Sequence, residues 1–159
     1  MGTAIVAAIT TLPALTVLAA PAQAASSAVS MPLLVDMHSC DFQKVNYAKH
    51  FGPGWAQPVA QISSDGHTAT ARVEIKDGTP NAQYIARLIP APHAALGCEA
   101  GAPGIGTAAV STDATGTGSA TVQAPIGAGT TGVWVALELP AAHSQTPAEF
   151  YSPTFIASV

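Results

Sequence analysis

Five histidines, nine acidic residues and two cysteines are the side chains of this 159-residue chain with the most capacity for chemistry. Their one compact grouping is Asp36, His38, Cys40 and Asp41. If this stretch is a β-strand, Asp36, His38 and Cys40 lie on one face, because the side chains of a strand repeat every two residues. A histidine beside a carboxylate can begin a zinc or copper site. Since no His-x-His pair accompanies them, we predict no metal and no cofactor, with His38 and Asp36 as the candidate ligands if one binds.

Residues for other kinds of catalysis are not arranged in a recognisable motif. The sequence contains no Gly-x-Ser-x-Gly, His-Glu-x-x-His, phosphate-binding or dinucleotide-binding motif. The glutamates are far apart in the sequence, so the fold would have to assemble any carboxylate pair of the kind that cleaves glycosides. We therefore predict a protein that is not an enzyme and has no catalytic residues.

The two cysteines, Cys40 and Cys98, are predicted to form a disulfide. An even number of cysteines in an exported chain is typical of disulfide pairing. Metal ligation by two isolated cysteines is the alternative. The bond would close a loop of about 60 residues, which stabilises a fold by roughly 4 kcal/mol in chain-entropy models.

The start of the chain resembles an export signal. Residues 4–19 form an uncharged, predominantly apolar run that Pro21 ends. Ala22-Gln23-Ala24 then supplies the small residues that a signal peptidase accepts, so we predict a signal peptide over residues 1–24 and one mature domain over residues 25–159. An uncleaved membrane anchor is the alternative, but the run is shorter than the ~20 residues that span a bilayer.

Charged side chains are scarce, since five are basic and nine are acidic, which gives a net charge of −4. No basic patch is available for nucleic acid.

No basic residue precedes Lys44, so the positive start of a signal peptide is missing and we expect the natural N-terminus to lie further upstream. We predict a protein that is secreted to the extracellular space or the cell envelope, without a stable membrane span after cleavage.

Polar and apolar residues alternate without a fault in residues 68–75, which predicts a half-buried antiparallel strand. Asp65-Gly66 and Asp77-Gly78 flank it with turn dipeptides. Further strands are predicted over residues 31–37, 59–63, 83–89, 107–111, 119–123, 131–139 and 154–159. Seven to eight short strands with turns about every ten residues predict an all-β, Ig-like antiparallel β-sandwich, with a closed barrel as the alternative.

Two connections between these strands are predicted in more detail. Pro90 should end the strand over residues 83–89, because proline cannot donate a hydrogen bond to a sheet. Residues 112–118 should join the strands over 107–111 and 119–123 as a hairpin with a long loop.

Four residues are candidates for contact with a ligand or partner. Trp55 and Phe51 lie in a Gly- and Pro-rich loop, where an aromatic side chain can either anchor a ligand or close one end of the core. Tyr151 and His143 lie in a polar segment near the end of the chain, which could line a cleft or be a simple connection. Trp134, in the middle of a predicted strand, is expected in the core.

Three segments resemble stretches of uncharacterised small secreted proteins of mycobacterial or actinobacterial type: residues 82–89, 111–116 and 144–151. They accompany an Ala-rich export segment and strands rich in Ala, Thr and Gly. This resemblance implies a compartment outside the cytoplasm and no particular activity.

Two segments, residues 77–84 and 112–120, resemble the strand-turn-strand pieces of neocarzinostatin-type apoproteins. Those proteins are secreted Ig-like sandwiches that hold a hydrophobic chromophore, so the resemblance implies that fold and a cleft for an apolar ligand. The family has two short-range disulfides and this chain has at most one of long range, so no binding residue is carried over.

These features predict a secreted, non-enzymatic binding or envelope interaction module. Its expected partner is a protein, a glycan or a small apolar ligand, and not a nucleic acid. The alternative is a carrier of a small apolar ligand in a cleft between the sheets, and a metal-binding protein or an enzyme is the third hypothesis. A preformed apolar pocket would favour the carrier, whereas a flat face with Trp55 and Tyr151 exposed would favour a protein or glycan partner.

Overall fold

The computed structural model of the protein describes residues Gly2, 28–45 and 55–159. The predicted signal peptide lies outside these residues apart from Gly2, and so does Phe51. The described residues include no helix long and apolar enough to cross a membrane.

Nine β-strands form the described part of the chain. They are β1 (Val29–Pro32), β2 (Val59–Ser64), β3 (Thr68–Ile75), β4 (Gln83–Ala91), β5 (Gly106–Ser111), β6 (Gly118–Pro125), β7 (Gly132–Leu139), β8 (Glu149–Tyr151) and β9 (Ala157–Ser158). One sheet has the order β1-β2-β3-β6, and the other has the order β5-β4-β7-β8, with β9 also paired to β7. All pairings are antiparallel and the sheets pack face to face, so the predicted all-β, Ig-like antiparallel β-sandwich is confirmed.

The β2–β3 hairpin follows the predicted alternation. The apolar residues of β3, from Ala69 to Ile75, are fully buried at every second position. At the turn, Gly66 has a φ of +85°, a left-handed conformation that costs glycine little. The Asp65 carboxylate accepts hydrogen bonds from the backbone of His67 and Thr68 and so fixes the turn.

The space between the two sheets is filled by side chains from both inner faces. Alternate residues of each strand point inward, as expected for two packed antiparallel sheets. The large side chains fully or almost fully buried in this cluster are Met31, Ile62, Val73, Ile75, Tyr84, Leu88, Val110, Leu137 and Tyr151. The sheets therefore hold each other through a packed core.

A second hydrophobic cluster covers the outer face of β4 and β7. Its buried members are Cys40, Ile89, Cys98, Ile105, Trp134, Ala136 and Phe150. Two irregular segments contribute to it: residues 36–45, which we call the strap, and residues 92–105. The disulfide between Cys40 and Cys98 joins the two segments, with Cα atoms 5.6 Å apart, so the predicted pairing is confirmed. Trp134 is 1% exposed, in agreement with its expected place in the core.

β4 continues through Pro90 to Ala91, so the prediction that Pro90 ends the strand is wrong. The Ala91 carbonyl accepts the Thr131 N–H on the β7 side. The backbone groups of neighbouring residues in a strand point to opposite sides, so those of Pro90 point toward β5. Pairing with β5 already ends at Leu88. The missing N–H of Pro90 therefore costs the sheet no hydrogen bond.

The predicted hairpin of β5 and β6 is also wrong. β5 pairs with β4 and β6 pairs with β3, so the connection between them crosses from one sheet to the other. The two strands still approach closely, because a Cβ on Gly106 would lie 2.3 Å from the carbonyl oxygen of Gln123, and a Cβ on Gly118 would lie 2.3 Å from that of Ser111. Only glycine fits such an approach. We call this side of the sandwich the closed edge.

The opposite side of the sandwich also differs from the prediction. The strand predicted over residues 31–37 ends at Pro32, after which Leu34 forms a single antiparallel bridge with Ser152. β8 was not predicted, because a strand of three residues between two prolines shows too little alternation. The chain after β1 thus passes from the first sheet to the second.

Candidate functional site

The strap does not present His38 and Asp36 to a metal ion. The Asp36 carboxylate pairs with the Lys44 ammonium at 2.8 Å, and His38 Nδ1 lies 2.7 Å from the Ser152 hydroxyl. That hydroxyl donates to the Asp36 carbonyl at 2.6 Å, so His38 Nδ1 is the donor in its own contact with Ser152. The strand ends before these residues, so they do not share the face expected of them. Among the described residues no three His, Cys, Asp or Glu side chains lie close enough to hold a metal ion.

The imidazole of His38 belongs to an aromatic cluster. It stacks on Phe42 with ring centroids 4.4 Å apart and an interplanar angle of 6°. Both rings meet Trp134 edge-on, at 6.2 Å for His38 and 5.3 Å for Phe42. Burial lowers the pKa of His38, and the Asp36 carboxylate opposes this while the Lys44 ammonium adds to it. The neutral imidazole therefore packs the strap against the sheet.

Arg87 anchors the other covering segment to the same face. Its guanidinium pairs with Glu138 at 2.9 Å and donates to the Cys98 carbonyl at 2.8 Å. Its charge also lies 6.0 Å from the ring centroid of Phe150. Arg87 Nε and Trp134 Nε1 are buried and have no hydrogen-bond partner among the described residues. The charged groups of this face are thus directed at each other and at the backbone.

Of the four predicted contact residues, the three that the structure describes do not form one site. Trp55 is 79% exposed just before β2, and His143 is exposed in the β7–β8 connection. Tyr151 is fully buried, so it cannot contact a partner at the surface. Side chains alternate along β8, so Phe150 faces the outer cluster and Tyr151 faces the core between the sheets. Phe51 lies outside the described residues.

Tyr151 belongs instead to a buried polar network that the sequence does not reveal. Glu149 is 9% exposed, and its Oε2 accepts the hydroxyl of Tyr84 at 2.8 Å and that of Tyr151 at 2.6 Å. Its Oε1 accepts the Thr79 hydroxyl at 2.6 Å, and the Thr79 N–H donates to the Tyr84 hydroxyl at 2.9 Å. The network ties β4, β8 and the β3–β4 connection together at one end of the sandwich.

The electrostatics of this network are those of a structural site. Burial raises the pKa of Tyr84 and of Tyr151, and the Glu149 carboxylate that accepts their hydrogen bonds adds to both shifts. The Thr79 N–H opposes the shift at Tyr84. Both phenols therefore stay protonated and donate to Glu149. A carboxylate already engaged with three hydroxyls is poorly placed to take a proton from a substrate.

Exposed apolar side chains are concentrated on the side of the sandwich opposite the closed edge. Seven large hydrophobic residues are exposed in the described part of the chain. Two of them lie elsewhere: Trp55 lies just before β2, and Leu96 lies in the segment 92–105. The other five lie along β1 and its continuation or between β8 and β9, and we call them the open edge: Val29, Leu34, Val35, Phe155 and Ile156. The Leu34–Ser152 bridge brings these two stretches of chain together.

A groove of about 270 Å³ lies at one end of the open edge. The residues that line it come from both sheets: Val29, Ile62, Ser63, Ser64, Gly66, Ser158 and Val159. It opens where β1 and β9, the outer strands of the two sheets on this side, separate from each other. Its volume lies just below the ~300–1,000 Å³ of typical small-molecule sites.

The open edge carries no charged side chain. Residues 28–35 and 152–159 contain no Asp, Glu, Lys, Arg or His. Exposed edge strands of natural proteins are usually protected by a lysine, an inward-pointing charge or a proline, and Pro32 is the one such residue in β1. The two uncharged segments are visible in the sequence, but the bridge that makes them one surface is not.

Comparison with known proteins finds no match for the chain among family models, curated proteins or solved structures. The resemblances noted in the sequence stay predictions. The features of the fold that bear on function are therefore the open edge and the hydrogen bonding of the buried polar groups.

Proposed function

We propose that this protein is a non-enzymatic binding module that works outside the cytoplasm and contacts a macromolecular partner through the open edge. The observation that carries the proposal is that this one edge holds five of the seven large hydrophobic side chains that are exposed in the described part of the chain. Contiguous apolar surface on a soluble domain commonly marks an interaction site. Without charged side chains, the edge suits a partner recognised by shape and apolar contact.

An extracellular or envelope location is supported by the disulfide. Structural disulfides persist in oxidising compartments and are rare in the cytosol. The Cys40–Cys98 bond joins two covering segments of the fold, so it has a structural place. The export signal expected over residues 1–24 agrees with this location, with Ala25 as the first residue of the mature protein.

The non-enzymatic character is supported by the engagement of two reactive side chains, Glu149 and Ser152. The Glu149 carboxylate accepts three hydroxyl groups, and the Ser152 hydroxyl donates to a backbone carbonyl while it accepts from His38. A catalytic acid, base or nucleophile needs a free lone pair or proton directed at the substrate. Glu149 and Ser152 direct their lone pairs and protons at neighbouring groups of the protein itself.

The proposal is tested by comparing variants of the mature chain as bait. Leu34→Ser combined with Phe155→Ser removes two apolar side chains of the open edge, and Leu96→Ser is the matched control, since Leu96 is 80% exposed in the segment 92–105. Each protein is incubated with culture supernatant and envelope fractions of the source organism, and the bound proteins are quantified by mass spectrometry. We expect the edge variant to recover roughly tenfold less of the partner than wild type or control does. Equal recovery by all three baits would refute the proposal.

A carrier of a small apolar ligand is the second candidate, and the groove favours it. Val29, Ile62 and Val159 give it an apolar wall, although serines line the rest. Native mass spectrometry of the protein from its own culture supernatant, before and after denaturation, decides between the two. A small molecule lost on denaturation would replace the proposal by the carrier, and an adduct-free mass would support a macromolecular partner.

A further inference from the structure

The hydrogen bonds on either side of Pro32 show which way the backbone of β1 points. The Leu33 N–H donates to the Pro58 carbonyl at 3.0 Å, on the β2 side. The Leu34 N–H donates to the Ser152 carbonyl at 2.8 Å, on the opposite side. Because neighbouring residues of a strand direct their backbone groups to opposite sides, every even-numbered residue of β1 points away from β2.

Three residues consequently direct backbone groups outward: Ala28, Ser30 and Pro32. β1 is the last strand of its sheet, so no described strand pairs with this side of it. Ser30 offers both an N–H and a carbonyl, whereas Pro32 offers only a carbonyl. Unpaired backbone groups in a row form a template for another strand.

We propose that this edge pairs with the same edge of a second copy of the chain, antiparallel about a twofold axis at Ser30. The inference rests on the proposed function, because it names the partner of the open edge. In this register Ser30 exchanges two N–H···O=C bonds with its own equivalent. The Ala28 N–H donates to the Pro32 carbonyl of the other copy, and symmetry repeats this bond. The two four-stranded sheets become one sheet of eight strands.

The length of the free edge favours a second copy over a long peptide. Past Pro32 the ladder is already occupied, because Leu34 exchanges hydrogen bonds with Ser152. β1 itself spans Val29–Pro32, so within the described residues the free backbone groups extend from Ala28 to Pro32, and Ser30 is their middle residue. A twofold partner presents an equally short stretch, and the missing N–H of Pro32 falls at each end of the ladder and not in its middle. Such self-complementary contacts are the usual basis of symmetric dimers.

The distribution of charge favours the same partner. Two copies of a chain with a net charge of −4 repel each other, and this repulsion is smallest when they meet through surfaces without charged side chains. Residues 28–35 and 152–159 contain no charged side chain, so pairing here brings no charged side chains of these segments against each other. Val29, Leu34 and Val35 of each copy would then flank the new ladder and become less exposed.

The test is sedimentation equilibrium of the mature chain over a wide concentration range, with variants at Ser30. Wild type and Ser30→Ala, which keeps the N–H, should form a reversible species of twice the chain mass with the same dissociation constant. Ser30→Pro removes the two N–H groups on the axis and should weaken association by roughly tenfold or more. The Ser30 N–H has no strand partner within the described fold, so Ser30→Pro should leave the circular dichroism spectrum and the Tm unchanged.

A second variant keeps the test valid if Ser30→Pro fails to fold. Ser30→Lys places two ammonium groups beside the axis and should also abolish the dimer, while Ser30→Ala again should not. Amide hydrogen exchange at Ser30 should slow as the concentration of wild type rises. A monomer at every concentration, or equal association of the Pro, Lys and Ala variants, would overturn the dimer. The capture experiment with the Leu34 and Phe155 variant then decides separately whether the open edge has a different partner.

Discussion

Removal of the disulfide should release the strap and destabilise the domain by about 4 kcal/mol. The bond joins residues 58 positions apart. For a loop of that length, chain-entropy models predict that the bond lowers the conformational entropy of the unfolded chain by roughly 14 cal/mol/K. At 25 °C this corresponds to a stabilisation of about 4 kcal/mol, which is lost when the bond is removed. In a domain of this size the Tm of the variant with Cys40→Ala and Cys98→Ala should fall by roughly 10–20 °C.

The assay is urea unfolding followed by tryptophan fluorescence, because Trp134 lies buried beside the strap. Phe42→Ala is measured in the wild-type and the cysteine-free backgrounds to form a double-mutant cycle. In the wild type the loss of the Phe42 contacts should cost about 1–3 kcal/mol, since this ring is only partly buried. In the cysteine-free protein the same substitution should cost clearly less, because the strap is no longer held in place. A cysteine-free variant that loses less than about 1 kcal/mol, or a cycle without coupling, would refute the reasoning.

Two further predictions concern the buried polar groups. Glu149→Gln should lower the free energy of unfolding by about 2–4 kcal/mol in a urea titration, because an amide cannot accept three hydroxyl hydrogen bonds as a carboxylate does, and unchanged stability would contradict the network. The lowered pKa of His38 means that the folded state binds a proton less readily than the unfolded state, so stability should be full above the ordinary histidine pKa of 6.5 and should fall as the pH decreases through the folded value. His38→Gln should flatten this acid loss of Tm, whereas the control His143→Gln at an exposed site should leave it as in wild type.

The features that the sequence predicted correctly are those with a local signal. The strict alternation of residues 68–75 needs no knowledge of the rest of the chain, and neither does the turn at Asp65-Gly66. The pairing of Cys40 with Cys98 follows from there being only two cysteines. The fold class then follows from the number and length of such segments.

The features that the sequence did not predict depend on contacts between distant residues. Pro90 is tolerated within β4 because the pairing of β4 with β5 does not extend beyond Leu88, and no local pattern shows this. The connection of β5 and β6 resembles a hairpin locally, yet β5 pairs with β4 in one sheet and β6 pairs with β3 in the other. Glu149 collects its partners from the β3–β4 connection, β4 and β8, so its role emerges only from the topology.

The closed edge limits how far copies of this chain can assemble. Where Gly106 and Gly118 bring β5 and β6 together backbone to backbone, a further strand has no place to add. In the language of polymer chemistry, a sandwich that pairs only through β1 has a functionality of one: it can end a chain of contacts but cannot extend it. Association of the native protein through β1 should therefore stop at a pair, and growth into a fibre would require a second strand edge to become available.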